Sequence, residues 1–176
     1  MRMRREEFDA AVEKYARRVF TLAVYLLGDR EEAEDVTQEV LIRLWRKGHE
    51  VDPERIGPWL TRVTRNAAID IIRRRGHGVR GLTDADDGLV DLPEDSPGPE
   101  GLAQSSELGS RLLAALHAMS EPHRSVVILR EVQGLSYREI GEALEMPLST
   151  VRVTLHRGRR RLREDLREVR HDVAAC

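Results

Sequence analysis

Residues 135–163 read LSYREIGEALEMPLSTVRVTLHRGRRRLR. Ser136 and Glu139 have the spacing of a capping box, in which hydroxyl and carboxylate each satisfy a free backbone N–H at a helix start. Ile140, Ala143 and Leu144 recur at helical spacing behind them. Met146-Pro147-Leu148 interrupts, because proline clashes with a continuing helix and pushes the preceding residue toward extended backbone. Ser149 is the expected cap of a second helix, whose inward face is Val151, Leu155 and Leu162. Arg152, His156, Arg157, Arg159 and Arg160 point elsewhere, and six arginines with no acid lie between Ser149 and Arg163. Helix, tight turn and arginine-bearing helix form the layout of a helix-turn-helix, whose second helix enters the DNA major groove. The alternative is a solvated arginine face.

Working outward, the fold class expected is all-α: two small helical domains joined by a flexible acidic linker, the C-terminal one containing the helix-turn-helix. Up to Arg75 the chain reads as helix with short breaks. Phe8, Val12, Tyr15, Val19, Leu22 and Leu26 recur at three- and four-residue steps until Gly28. Asp29 with Glu32 restarts a helix with the stripe Ala33, Val36, Val40 and Leu44, and Leu41 and Trp45 beside it. Asp52-Pro53 opens another, since aspartate caps well and proline fits a first turn. Its buried stripe is Leu60, Val63, Ala67 and Ile71. Residues 76–106, GHGVRGLTDADDGLVDLPEDSPGPEGLAQSS, lose helical period and read as a linker. Helix resumes at Leu108, Ser120 caps the next one ahead of Pro122, and Gly134 ends it.

The 176 residues carry a net charge of −2, distributed as +2 over 1–75, −6 over 76–106 and +2 over 107–176. Aromatic residues are 4% of the chain, so the cores must be aliphatic. The one cysteine, Cys176, permits no intramolecular disulfide. MRMRREEFDA lacks the apolar centre of a signal peptide. The apolar run Leu22–Leu27 is far too short to span a bilayer. A cytoplasmic location without membrane insertion is therefore expected. His117 and His123 stand apart without ligand spacing, so neither metal nor cofactor is expected.

Two polar faces in the N-terminal half stand out. Asp35, Gln38 and Glu39 share one side of their helix, opposite Val36/Val40/Leu44. Arg62, Asn66, Asp70, Arg73 and Arg74 form a second stripe, within a segment of five arginines and one acid from Arg62 to Arg75. Arginine attracts phosphate, while asparagine and aspartate can hydrogen-bond base edges. Trp59 and Trp45 read as core residues, although an aromatic can also stack on single-stranded bases.

Three segments, AEDVTQEVLIRLWR (33–46), PWLTRVTRNAAIDIIRRR (58–75) and LSYREIGEALEMPLSTVRVTLHRGRRRL (135–162), together resemble the extracytoplasmic-function group of the sigma-70 family of bacterial RNA polymerase sigma factors. The resemblance implies a region 2 domain over 1–75 and a region 4 domain over 107–176. It implies that Asp35, Gln38, Glu39 and Arg43 dock on the clamp helices of the largest subunit of core RNA polymerase. Asn66 would then capture an unpaired base of the −10 element, with Arg62, Asp70, Arg73 and Arg74 steering or reading that strand. Ser149, Thr150, Arg152, Val153, His156, Arg157 and Arg160 would meet the duplex −35 element. The C-terminal domain would bind the flap tip, and the linker would thread the polymerase channels. An anti-sigma factor is a further partner implied for many members. Where members often carry serine and arginine, Val153 and Thr154 offer methyl groups suited to a thymine C5-methyl.

These readings make the chain a promoter-specificity subunit rather than an enzyme. A stand-alone helix-turn-helix regulator is the alternative, and it would leave Asp35, Gln38 and Glu39 without a role. An enzyme using Asp35, Glu39 and His49 is the third class, unsupported by any convergent set of residues.

Overall fold

A computed structural model describes residues 3–78 and 107–173, with side chains over 3–75 and 109–167, and every regular element among them is helical. The N-terminal block consists of α1 (Arg5–Leu27), α2 (Arg30–Lys47), two 3-10 turns (Gly48–Glu50 and Pro53–Arg55) and α3 (Ile56–Gly78). In the C-terminal block, α4 (Glu107–His117) leads to α5 (Glu121–Val127), which continues as a π turn over Ile128–Val132. It is followed by α6 (Tyr137–Leu144) and α7 (Leu148–Val173).

Local chemistry fixes the helix ends. Gly28 closes α1 at φ +69°, a left-handed conformation that favours glycine. Asp29 accepts the Glu32 N–H at 2.9 Å to start α2, and Asp52 accepts the Glu54 N–H at 2.9 Å. The Ser136–Glu139 capping box forms in both directions, at 3.2 and 2.7 Å. Three ends differ from expectation. Helix α7 starts at Leu148, with the Pro147 carbonyl accepting the Val151 N–H at 3.0 Å, so Ser149 lies inside the first turn and does not cap it. Ser120 holds the cap position of α5, but its hydroxyl bonds the His123 ring at 2.7 Å instead of the backbone. Helix α3 runs on to Gly78, three residues into the expected linker; the rest of that linker lies outside the described residues.

Aliphatic side chains fill the interior. Leu22, Leu26, Val36, Val40, Leu44 and Leu60 are buried in the first block, and Leu116, Val126, Ile128, Leu129, Ile140, Val151 and Leu155 in the second. Each is worth roughly 1.5–3 kcal/mol when fully buried. Both sets belong to one continuous cluster, so the blocks pack directly on each other. Residues 21–27 are buried around the full circumference of α1 because the second block covers the side that α2 and α3 leave open.

That junction is built on the free end of α1. The last carbonyls of a helix have no partner within it and carry partial negative charge. Here Tyr25 O accepts from His117 Nε2 (3.3 Å), Leu26 O from Arg124 Nη1 (3.3 Å) and Leu27 O from Arg75 Nη1 (3.2 Å). Arg124 also grips the carbonyls of Leu116, His117 and Met119 at 3.0, 2.7 and 3.1 Å. Gln133 reaches across to donate to Arg18 O at 2.7 Å. Burial, then the Arg124 charge, holds the His117 imidazole below its ordinary pKa; its bond to Tyr25 O pulls the other way, and Arg75 adds a smaller push downward.

Candidate nucleic-acid interface

Three exposed faces stand on three different helices. On α2, Asp35, Gln38 and Glu39 are exposed as expected, and Arg43 pairs with Glu39. The structure adds Ile42, 50% exposed, three residues beyond Glu39 and four beyond Gln38 on the same stripe. An apolar side chain inside a polar face suits a protein partner better than water. The signal was present in the sequence, because Ile42 falls outside the Val36/Val40/Leu44 period. Beside it, Ala16, Arg17, Phe20, Glu34, Thr37 and Gln38 line an open groove of about 370 Å³ between α1 and α2.

On α3, Asn66, Asp70, Arg73 and Arg74 are exposed along one side. Arg74 Nε donates to the Asp70 backbone oxygen at 3.1 Å. Arg62, one turn before Asn66, is instead half-buried and bound to Glu145 of the other block. Arg65, which sequence reasoning left aside, gives two bonds to Glu121 (2.7 and 2.6 Å) and one to Ser125 (3.3 Å). Arg75 is engaged by Glu32 and Leu27 O. The five arginines of α3 therefore divide between its exposed side and contacts that are buried or cross to other elements. Trp59 is half-buried, packed on the core while bordering a cleft of about 810 Å³ that also meets Arg55, Arg62, Glu142 and Glu145.

On α7, Ser149, Thr150, Arg152, Val153, His156, Arg157 and Arg160 are all exposed. Val153 is 50% exposed and can meet a base methyl, whereas Thr154 turns inward at 9% and cannot. Arg152 and Arg157 form no ion pair with another described residue, the condition expected of side chains that meet phosphate or guanine. The lack of acids between Ser149 and Arg163 does not leave every arginine unpaired. Arg159 bonds Glu131 on the π turn, and Arg160 and Arg161 reach Glu164 and Asp165 one turn on.

The helix-turn-helix angle depends on close approach. A Cβ on Gly141 would sit 2.9 Å from the Met146 carbonyl oxygen, which accepts no such neighbour. The turn passes through Glu145 at φ 54°, the only non-glycine at positive φ among the described residues. Gly158, in mid-α7, lets that helix lie against Val127 of α5. Among the described residues no three His, Cys, Asp or Glu side chains gather to hold a metal ion, and no helix is long and apolar enough to cross a membrane.

Residues 11–78 match the family model for Sigma-70 region 2, and residues 110–162 that for Sigma-70, region 4. The chain is 32% identical over 176 residues to the ECF RNA polymerase sigma factor SigW of Bacillus subtilis, covering 93% of this chain and 91% of that protein. It is 40% identical over 159 residues to the ECF RNA polymerase sigma factor SigE of Mycolicibacterium smegmatis, covering 90% of this chain but 61% of the relative, under two thirds of its length. Among solved structures, the sigma factor RpoE bound to the anti-sigma factor NepR from Bartonella quintana superposes with a TM-score of 0.73. That likeness spans 92% of this chain and 98% of the other at 23% identity, and is one of fold.

Proposed function

We propose, because this chain belongs to the extracytoplasmic-function group of the sigma-70 family of RNA polymerase sigma factors, that it binds core polymerase and directs it to −35/−10 promoters. The 1–75 and 107–176 segments act as its region 2 and region 4 domains. Asp35, Gln38, Glu39 and Arg43, with Ile42 among them, meet the clamp helices of the largest subunit. Asn66 holds an unpaired −10 base while Arg62, Asp70, Arg73 and Arg74 guide the strand. An extruded base loses stacking that the protein must offset, which suits a polar trap beside cations. Ser149, Thr150, Arg152, Val153, His156, Arg157 and Arg160 read the −35 duplex from the major groove. The C-terminal domain also contacts the flap tip. The family consists of initiation factors without covalent chemistry of their own, which act where the polymerase acts. An anti-sigma factor is counted among its partners, since RpoE and CnrH, which share the fold, are each held by such a chain or by a cytosolic domain.

The observation that carries this reading is the exposed Ile42 within the Asp35/Gln38/Glu39 stripe, an apolar side chain in a polar face on a helix separate from both arginine-bearing faces. A stand-alone regulator would need only α7. The test is a pull-down of core RNA polymerase by wild type and by an Asp35→Ala/Gln38→Ala/Glu39→Ala variant, with circular dichroism to verify folding. Binding by wild type that drops at least tenfold in the variant supports the assignment. A folded wild type that ignores polymerase and binds duplex DNA tightly alone overturns it.

A further inference from the structure

We propose that the C-terminal block is an intramolecular inhibitor of −10 strand capture, with Glu121 and Glu145 occupying Arg65 and Arg62, the two arginines that precede Asn66 on α3. The inference rests on the proposed role of α3. Arg62 and Arg65 lie four residues and one residue before Asn66. Arg62 is bound by Glu145 at the helix-turn-helix turn, and Arg65 by both oxygens of Glu121 at the start of α5. A guanidinium offers carboxylate and phosphate the same two-pronged geometry, so these acids stand where strand phosphates would bind. The Arg65–Glu121 pair is 18% and 29% exposed and carries Ser125 as a third partner, which fixes it more firmly than a surface pair. The cleft between Trp59/Arg62 and Glu142/Glu145 completes the cover over this part of α3.

The closed arrangement is incompatible with the proposed task. Elements centred near −10 and −35 lie about 25 base pairs apart, or about 85 Å at 3.4 Å per pair. Blocks in direct contact cannot reach both. The 28 residues 79–106 can extend to at most about 100 Å, enough to bridge that span. Opening is therefore required and feasible. The α2 face and the α7 face are both exposed in the closed form, so polymerase can dock before the blocks part. The Arg62/Arg65 side of α3 is withheld.

The full-length chain, without polymerase, would be titrated with a fluorescein-labelled single-stranded DNA 12-mer of randomised sequence, alongside small-angle scattering. Wild type would be compared with Glu121→Gln/Glu145→Gln and with Glu13→Gln/Glu31→Gln, which changes charge equally at exposed sites away from the junction. The interface variant should bind about tenfold tighter, the gain if nine molecules in ten are closed. Its radius of gyration should rise above the compact value of about 16 Å. The control should move less than twofold and stay compact. Equal gains in both variants, an expanded wild type, or an interface variant that opens without binding tighter would each overturn the proposal. Loss of polymerase binding in the pull-down would sink the functional reading separately, because the scattering comparison uses no polymerase.

Discussion

Replacing Gly158 by alanine should destabilise the C-terminal block, against the usual behaviour of a helix-interior glycine. Alanine is normally favoured over glycine there by about 0.8–1.0 kcal/mol. In α7, however, the new Cβ would lie 2.6 Å from Val127 Cγ2 and 3.5 Å from the His123 carbonyl oxygen. Carbon atoms pack at about 3.5–4.0 Å, so the first contact is nearly 1 Å too close. Val127 is 1% exposed and has no free volume to retreat into. Forcing a methyl into a packed core costs about 1–3 kcal/mol. Subtracting the helical gain leaves a net loss of about 1 kcal/mol. A double-mutant cycle isolates the cause. Val127→Ala alone removes two methyl groups and should cost about 2 kcal/mol. In Val127→Ala/Gly158→Ala the added Cβ partly fills the space, so the double variant should be at least about 1 kcal/mol more stable than additivity predicts. Urea unfolding followed by far-UV circular dichroism measures all four proteins. A Gly158→Ala midpoint above wild type, or strictly additive losses, would refute the argument from packing.

Two further outcomes are expected. His117 is held below its ordinary pKa of about 6.5 by burial, then by Arg124, with Tyr25 O opposing and Arg75 adding a smaller downward push. A depressed imidazole supports closure fully above pH 6.5, and that support is lost as pH falls further, because the open state takes up a proton the closed state refuses. Scattering should therefore show expansion between pH 7.5 and 5.5 in wild type, and a His117→Gln variant should lose most of that dependence; a pH-independent wild type would refute this. Arg152→Ala should weaken binding to a selected −35 duplex by about 1–3 kcal/mol, with a smaller loss on unrelated DNA; equal losses on both would reduce Arg152 to a phosphate contact.

Much of this architecture was legible because its signals are local. Asp29, Asp52 and the Ser136–Glu139 pair announce helix starts through hydrogen bonds made within three residues. The stripes Val36/Val40/Leu44 and Ile140/Ala143/Leu144 follow helical period and are buried. What escaped was nonlocal. Nothing around Arg65 foretells Glu121, which lies 56 residues away. The run Leu22–Leu27 looks like an over-apolar helix end until the second block covers it. Thr154 was expected to offer a methyl to DNA because the resemblance places it, with Val153, where members often carry serine and arginine; it faces the core between Val151 and Leu155.

Glu145 has a wider meaning as a point of local frustration. A left-handed backbone costs a side-chain-bearing L-residue about 1–2 kcal/mol, and glycine would occupy the turn with less strain. Sequences that fold smoothly tend to remove such conflicts between local preference and global structure, and those that persist mark places where something other than folding selects the residue. The helix-turn-helix alone gives Glu145 no reason to be there, since its carboxylate turns away from that motif toward Arg62. The strained turn and the interdomain contact thus form one compromise: relaxing the backbone with glycine would remove the charge that reaches across.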